Sequence, residues 1–312
     1  LDEQGHVLVI GAANLDIKGR PTVPLVRGSS IPGQIRISPG GVARNIAENL
    51  VRLEVETVLL TAVGDDDAGA QILGHAAGSG IDISEVVSTE GVPTGAYMAL
   101  LKENGALDVA LDDMSIMGAL TPRYIRGRRA LFEGACMVAI DANLTPDVIY
   151  TVVRLCDELS IPLCADPTSA SLAGRLCPHL SSLTMASPNV PEASVLCGGE
   201  TFEAQDRDAA QATARNLVAL GVEVAVITLG EHGVVYADAE TKGHIPAVPT
   251  EIIDQTGAGD AMTAAIIFGL LENIPLDECV RLGVTAATLT LRTRKTVRAD
   301  LSVDLLYDEL VV

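Results

Sequence analysis

Asp254-Gln255-Thr256-Gly257-Ala258-Gly259-Asp260 runs directly into an apolar helical stretch over residues 261–271. The glycines bracketing Ala258 allow a tight turn whose N–H groups point one way, and the helix beyond it adds the positive end of its dipole. Such a turn is an anion site. Asp260 falls in the first turn of that helix, so a carboxylate stands beside a cradle for phosphate oxygens. In a simple anion receptor that pairing would be self-defeating; in phosphoryl transfer it makes sense. The carboxylate can accept the proton of an attacking hydroxyl while the N–H groups receive the charge spreading over the transferred oxygens. A Gly-rich turn with a helix-capping Asp accounts for the same seven residues, so the rest of the chain has to decide.

At the other end of the chain, residues 6–10 form a short apolar run that opens into Gly11-Ala12-Ala13-Asn14-Leu15-Asp16. This is the pattern of a buried strand whose C-terminal end meets a loop, where α/β sheets gather ligands. Asn14 and Asp16 stand two apart, so an extended backbone turns both to one side, where they could grip adjacent hydroxyls; a plain polar turn reads the same way. Residues 17–38 contain Pro21, Pro24, Pro32 and Gly33 and no helical period, and are predicted as irregular or short-stranded chain leaving the core. Ser38-Pro39-Gly40-Gly41-Val42-Ala43-Arg44-Asn45 is a second Gly-rich turn feeding a helix, with Val42, Ile46, Leu50 and Leu53 at helical spacing and Asn45 off that stripe. Gly40-Gly41 alone would suit any anion or tight turn. With Asn45, Asn14 and Asp16 it reads as a polyol grip.

Residues 57–63 make another apolar strand, and Asp65-Asp66-Asp67 beyond it fits the acidic start of a helix better than a metal site. Residues 96–101 and 107–111 flank Asn104-Gly105, a hairpin signal. This second excursion is expected to join the first in a small sheet covering Asn14, Asp16 and Asn45. Tyr97 is the only aromatic in that lid, and Asp112 could turn back into the site, although a solvated turn explains it equally. From residue 121 onward, helical stretches over 121–132, 146–159 and 209–220 alternate with strands over 137–140, 162–165 and 224–229, the signature of βαβ units about a mostly parallel sheet. Asp141, Asn143 and Asp166 follow strand ends. Asn189 and Glu192 in Ser187-Pro188-Asn189-Val190-Pro191-Glu192 stand at i, i+3, which suits water-mediated support of Mg²⁺ and equally a helix cap. Thr228-Leu229-Gly230-Glu231-His232-Gly233 closes a strand in a turn on which a nucleotide could lie, with His232 as a turn residue. Arg292, Arg294, Lys295 and Arg298 form a basic cluster, read either as an entrance for nucleotide phosphates or as a solvated face.

The totals exclude several classes. Of 312 residues, 48% are apolar and 20% charged, which suits a sizeable globular core rather than disorder. Lys and Arg number 21 against 41 Asp and Glu, a net charge of −20, which disfavours nucleic acid or an anionic membrane as partner. The six cysteines are scattered without a CxxC pair, as expected of reduced thiols in a cytoplasmic protein. No apolar run approaches a membrane span and no basic-then-apolar signal opens the chain, which starts at Leu1 rather than Met and so could have lost a short leader. Gly11 to Asp16 lacks the G-x-G-x-x-G fingerprint of a nicotinamide-binding strand.

Taken in order and spacing, Gly11 to Asp16, Pro39 to Asn45, Asn189 to Glu192, Thr228 to Gly233 and Asp254 to Asp260 resemble the ribokinase-like (PfkB) carbohydrate kinases over essentially the whole chain. Ala12 to Ile17, Ser38 to Leu53 and Asp112-Asp113-Met114 are most similar to the family's pseudouridine kinases. The resemblance implies a single ribokinase-like domain over 1–312: a three-layer α/β fold with a mostly parallel central sheet, and a β-sheet lid from about 15–38 and 94–115. It implies Asp260 as base, Thr256, Gly257, Ala258 and Gly259 as anion hole, and Asn14, Asp16, Gly40, Gly41 and Asn45 around the ribose. Asn189 and Glu192 would belong to an Mg²⁺-associated motif and Thr228, Gly230 and Gly233 to the ATP site, while Asp254 stands where a ligand to a monovalent cation such as K⁺ is expected. Ser187 replaces the Lys of many relatives, which removes one positive contact near the nucleotide. Mg²⁺ and ATP are the implied cofactor and co-substrate, and a homodimer paired through the lid is the implied assembly. The alternatives are another sugar or nucleoside kinase of the family, or a nucleoside sensor that has lost the chemistry; the sensor would have no use for Asp260. With no Trp and 3% aromatic residues, the chain is poorly equipped to sandwich a large purine between rings.

Overall fold

Strand β1 (His6–Ile10) sends Leu8 and Ile10 into one apolar core and Val7 and Val9 into another, so it runs through a sheet covered on both faces. The structure, a computed structural model, describes residues 5–26, 28–103, 107–199 and 201–310. After β1 come β2 (Asn14–Pro21), β3 (Gly33–Gly40), helix α1 (Val42–Arg52), β4 (Thr57–Leu60), β5 (Ala62–Gly64), α2 (Asp67–Gly78), β6 (Val87–Thr89), β7 (Ala96–Leu101) and β8 (Leu107–Asp113). Short helices α3 (Pro122–Arg126) and α4 (Arg129–Glu133) lead into β9 (Ala135–Asp141), α5 (Pro146–Leu159), β10 (Leu163–Asp166), α6 (Ala170–Ala173), β11 (Met185–Ala186), α7 (Val190–Cys197), α8 (Arg207–Ala219) and β12 (Val224–Thr228). Then β13 (Val234–Ala237) and β14 (Lys242–Ile245) precede α9 (Ala258–Leu271), α10 (Leu276–Leu291) and α11 (Val303–Asp308).

The main sheet has the order β14-β13-β12-β11-β10-β9-β1-β4, parallel from β12 to β4 with β13 and β14 antiparallel at one edge. Residues of α3, α4, α5, α7 and α8 pack on the Leu8 face, and those of α1, α9 and α10 on the Val7 face, giving the expected three layers. From β1 the chain pairs outward to β4 on one side and later to β9 on the other. The strand order therefore reverses between β1 and β9 and opens a crevice at their C-terminal ends. Helix α9 is buried from Asp260 to Gly269, wedged between the sheet, α1 and α10, so the turn at its start stands on a rigid support.

The two excursions pair as a separate four-stranded sheet, β3-β2-β7-β8. Residues 17–38, predicted as irregular or short-stranded, instead supply most of two eight-residue strands. Their polarity is inverted relative to a core strand, which hid them. Asn14, Asp16 and Lys18 are buried toward the main body, while Ile35 and Ile37, 76% and 54% exposed, face away. In the cross-strand rows Ile37, Ile17, Met98 and Leu111 stand side by side, as do Ile35, Gly19, Leu100 and Val109, so the outward face is apolar. The Asn104-Gly105 turn lies outside the described residues, but the strands it was expected to join do pair antiparallel. Elsewhere the predicted 57–63 strand divides into β4 and β5, the latter pairing with β6, and the predicted 121–132 helix breaks at Gly127.

Candidate active site

Polar side chains converge on the crevice from five neighbouring strand ends. At the floor, Asp141 closes β9 and its Oδ2 accepts the backbone N–H of Ala12 (2.8 Å) and Ala43 (3.1 Å), tying the β1 loop to the start of α1. A side chain at Gly11 would collide with that carboxylate. Gly41, at φ +99°, lets the second turn lie against the Ala12 carbonyl, where no Cβ would fit. Gly40 is pressed against the Asp16 carboxylate in the same way, and Asp16 Oδ1 accepts from Asn14 Nδ2 at 2.9 Å. Burial raises the Asp16 pKa, opposed by the Asn14 hydrogen bond and by Lys18 and Arg44. The polyol grip read from Asn14, Asp16, Gly40, Gly41 and Asn45 is therefore one contiguous set. Tyr97 pairs across the lid with Asp16 on one side and exposed Asp112 on the other. Burial, with Asp16 and Asp112 beside it, pushes the Tyr97 phenol up, so it stays a neutral hydrogen-bond donor.

Asp260 is 8% exposed, and its Oδ2 accepts from Asn45 Nδ2 at 2.6 Å, which joins the two Gly-rich turns in one site. Burial drives its pKa up to about 7 against the Asn45 hydrogen bond and the Arg44 charge, with Asp16 and Asp141 adding to the rise. Gly257 caps α9 at φ +85°, and a Cβ there would strike the Thr296 carbonyl. The first-turn N–H groups of α9 have no helical acceptor upstream, and the Cα of Gly259 faces open space. The turn thus has the form an anion hole requires.

Thr256 and Asp254 have further partners. Lys18 Nζ on β2 donates to Asp254 Oδ1 (2.8 Å) and Oδ2 (2.9 Å) and to Thr256 Oγ1 (2.5 Å), and Arg36 on β3 donates to Asp254 Oδ2 (2.6 Å). Burial works to raise the Asp254 pKa; Lys18 and the Thr256 N–H outweigh it and leave it below the usual carboxylate value. A carboxylate neutralised by two cations does not fit a monovalent-cation ligand in this arrangement. Sequence reasoning missed this tie between the four-stranded sheet and the turn before α9, because neither Lys18 nor Arg36 lies in a motif.

On the nucleotide side, Asn189 and Glu192 form a complete capping box at the start of α7. Asn189 Oδ1 accepts the Glu192 N–H at 3.0 Å, and the Glu192 carboxylate accepts from Asn189 N (2.9 Å) and Nδ2 (2.7 Å). Thr228 bridges to Asn189, which brings the ends of β11 and β12 together. Gly230 (φ +59°) and Gly233 (φ +90°) shape the turn beyond, with the Gly233 Cα against Pro246 and Ala247. Ser187 Oγ lies 2.9 Å from Thr263 Oγ1 on α9. Asp166, at the crevice floor, has its pKa pushed well above the usual value by burial and by the neighbouring Asp260 and Glu192 carboxylates; burial also raises Glu192. Crowded carboxylates of this kind fit a divalent cation nearby, which would relieve their repulsion. Among the described residues no three His, Cys, Asp or Glu stand close enough to hold a metal outright, so the fit is to an ion carried largely by phosphate and water. Of the basic cluster, Arg292 bonds Thr250 and Glu309, and Arg298 bonds Asp300.

The pattern that defines the pfkB family carbohydrate kinases matches residues 4–302. A pseudouridine kinase of Escherichia coli (strain K12) is 31% identical over 302 residues, covering 96% of this chain and 95% of that protein. A guanosine-inosine kinase of Exiguobacterium acetylicum is 28% identical, over 90% of this chain and 92% of its own. The solved structure of a ribokinase from Arabidopsis thaliana, complexed with ribose and ATP, superposes with a TM-score of 0.83 at 23% identity, over 97% of this chain and 99% of that one. A family pattern that runs through every strand of the described fold, carried on a ribokinase-like architecture from end to end, leaves one placement: the chain belongs to the pfkB family of carbohydrate kinases.

Proposed function

We propose that this sugar or nucleoside kinase transfers the γ-phosphoryl group of ATP to the 5′-hydroxyl of a ribonucleoside, pseudouridine being the substrate. The observation that carries the phosphoryl-transfer reading is the position of Asp260: a buried carboxylate in the first turn of α9, one residue past the open Gly259 backbone and bonded to Asn45 of the polyol grip. The ribose hydroxyls are held by Asn14, Asp16 and Asn45 against the Gly40-Gly41 backbone. Asp260 takes the proton of the 5′-hydroxyl as it attacks, and the N–H groups from Gly257 to Gly259 receive the negative charge that develops on the transferred oxygens. Thr228, Gly230 and Gly233 line the nucleotide, with Asn189 and Thr256 at its phosphate end. Glu192 and Asp166 stand near where Mg²⁺ would ride with the phosphates, held through water; when bound, Mg²⁺ neutralises phosphate charge. The four-stranded sheet covers the sugar and limits the access of water to the phosphoryl group. The choice of pseudouridine rests on the likeness of residues 12–17, 38–53 and 112–114 to pseudouridine kinases and on the 31% identity to one of them.

The apolar outer face of the lid calls for a partner, and its self-similar rows of Ile, Met, Leu and Val suit a second copy. In the homodimer this implies, Ile37→Asp and Leu111→Asp each shift the sedimenting species to monomer; a wild-type monomer at all concentrations removes the dimer reading. A cytoplasmic setting suits the reduced cysteines, and among the described residues no helix is long and apolar enough to cross a membrane.

The deciding experiment is ATP-dependent phosphorylation of pseudouridine, uridine, cytidine, adenosine, guanosine, inosine, ribose and fructose, with Asp260→Asn beside the wild type. Pseudouridine 5′-phosphate in clear excess, lost in the variant, is the expected result. Preference for another acceptor moves the substrate and keeps the kinase. A nucleoside that raises the melting temperature without any transfer overturns the catalytic reading in favour of a sensor.

A further inference from the structure

Arg44 lies one residue before Asn45 on α1, where a charged residue would ordinarily face solvent, yet it is 1% exposed. Each nitrogen of its guanidinium has a partner. Nε donates to the Gly40 carbonyl (3.0 Å), one terminal nitrogen to Glu48 Oε2 (2.5 Å), and the other to the Pro39 carbonyl (3.0 Å), Thr296 Oγ1 (3.0 Å) and Asn45 Oδ1. These partners belong to three parts of the site: the Gly40-Gly41 turn, the segment whose Thr296 carbonyl packs on Gly257, and the amide that touches Asp260.

Guanidinium has donors only, so the Asn45 atom that meets it must be the carbonyl oxygen, and the amide nitrogen must then face Asp260. A reversed amide would set two donors against each other at Arg44 and two oxygens against each other at Asp260. We propose that Arg44 is a positioning residue that fixes the Asn45 amide and, through it, selects the Asp260 oxygen left to take the substrate proton. The inference rests on the reading of Asp260 as the base. With Oδ2 accepting from Asn45, Oδ1 is the oxygen that receives the hydroxyl proton. The charge of Arg44 also bears on how readily that proton is accepted. The groups that face Asp260 are Asn45 and Arg44 on α1, Asp16 on β2, Asp141 at the end of β9 and Asp166 at the end of β10; of these only Arg44 is cationic.

Glu48 is shared by Arg44 (2.5 Å) and Arg52 (2.7 Å), so truncating Arg44 alone would leave that buried carboxylate one cation short; the informative variant is the double substitution Arg44→Met with Glu48→Met, and Arg44→Lys keeps the charge without the fork. The measurement is kcat, KM for both substrates, and the pH dependence of kcat/KM, with Asp260→Asn as reference. In the double variant kcat falls by about 10²-fold, KM for ATP changes by less than about threefold, and the acid limb of kcat/KM moves up by roughly one pH unit. In Arg44→Lys the acid limb stays within about 0.3 unit of the wild type while kcat falls by about tenfold or more, since an ammonium cannot hold Asn45, Glu48 and Gly40 together. A folded double variant with kcat within threefold of wild type and an unmoved limb overturns the proposal. Should the double variant fail to fold, Arg44→Lys decides, and kcat within about threefold of wild type overturns it. Full turnover in Asp260→Asn sinks the base reading instead, whatever Arg44 does.

Discussion

A carboxyl with a pKa of about 7 is a stronger base than an ordinary aspartate and is still about half ionised at pH 7, which suits Asp260 to deprotonate a sugar hydroxyl. It must be ionised to act, so kcat/KM is expected to rise with pH through about 7 and level off above; a profile flat from pH 5.5 to 8.5 would exclude it as the base. Asp260→Asn is expected to lower kcat by about 10²- to 10⁴-fold with little change in KM for ATP. At this scale the sequence was legible where a residue type has few uses. Glycine at 41 and 257 is demanded by positive φ and by carbonyls too close for a Cβ, and both stood out as paired with a neighbouring glycine or alanine turn. Arg44 was not legible, because a charged residue on a helix is solvated far more often than buried, and only the three-dimensional closure of Gly40, Thr296 and Glu48 around it reverses that expectation.

Elements were legible in proportion to how strongly burial shaped their period. The core strands read as apolar runs and α1 and α5 as amphipathic helices, whereas β2 buries polar residues toward the main body and β3 exposes its isoleucines, so a search for a hydrophobic inner face misses them. The inverted pattern is what brings a lysine at position 18 to the inner face of the lid. Lys18 and Arg36 fasten β2 and β3 to the turn before α9, with Lys18 only 10% exposed. Lys18→Met is expected to loosen the lid: transfer to the acceptor falls, ATP hydrolysis without acceptor rises relative to it, and amide exchange accelerates over residues 14–40. Equal loss of both reactions with unchanged exchange would assign Lys18 to folding alone. The Asn189 and Glu192 capping box is a second local device, and Asn189→Ala is expected to lower stability by about 1 kcal/mol in denaturant titration.

For the whole molecule, the crevice is costly to fold. Asp260, Asp166, Asp141, Asp16 and Glu192 all have pKa values raised chiefly by burial, Asp260 to about 7, so above the ordinary carboxylate range these groups hold more protons in the native state than in the unfolded chain. Stability contributed by these groups is complete below the ordinary carboxylate pKa and is lost as pH climbs toward and through 7. The net charge of −20 acts in the same direction as acids ionise. The ligand-free protein is therefore expected to melt higher at pH 5.5 than at pH 8, and Asp260→Asn to raise the melting temperature and flatten that slope; a melting temperature that climbs from 5.5 to 8 would contradict this. The fastening of lid to body has one more consequence. Its two arms differ in contact with solvent, Arg36 being 41% exposed and Lys18 nearly enclosed, and an exposed ion pair is screened by electrolyte while an enclosed one is not. On the proposed function, ionic strength is expected to act as a graded control on phosphate wastage: added salt should release the outer arm first, and leakage of ATP to water should climb before the sugar loses its place.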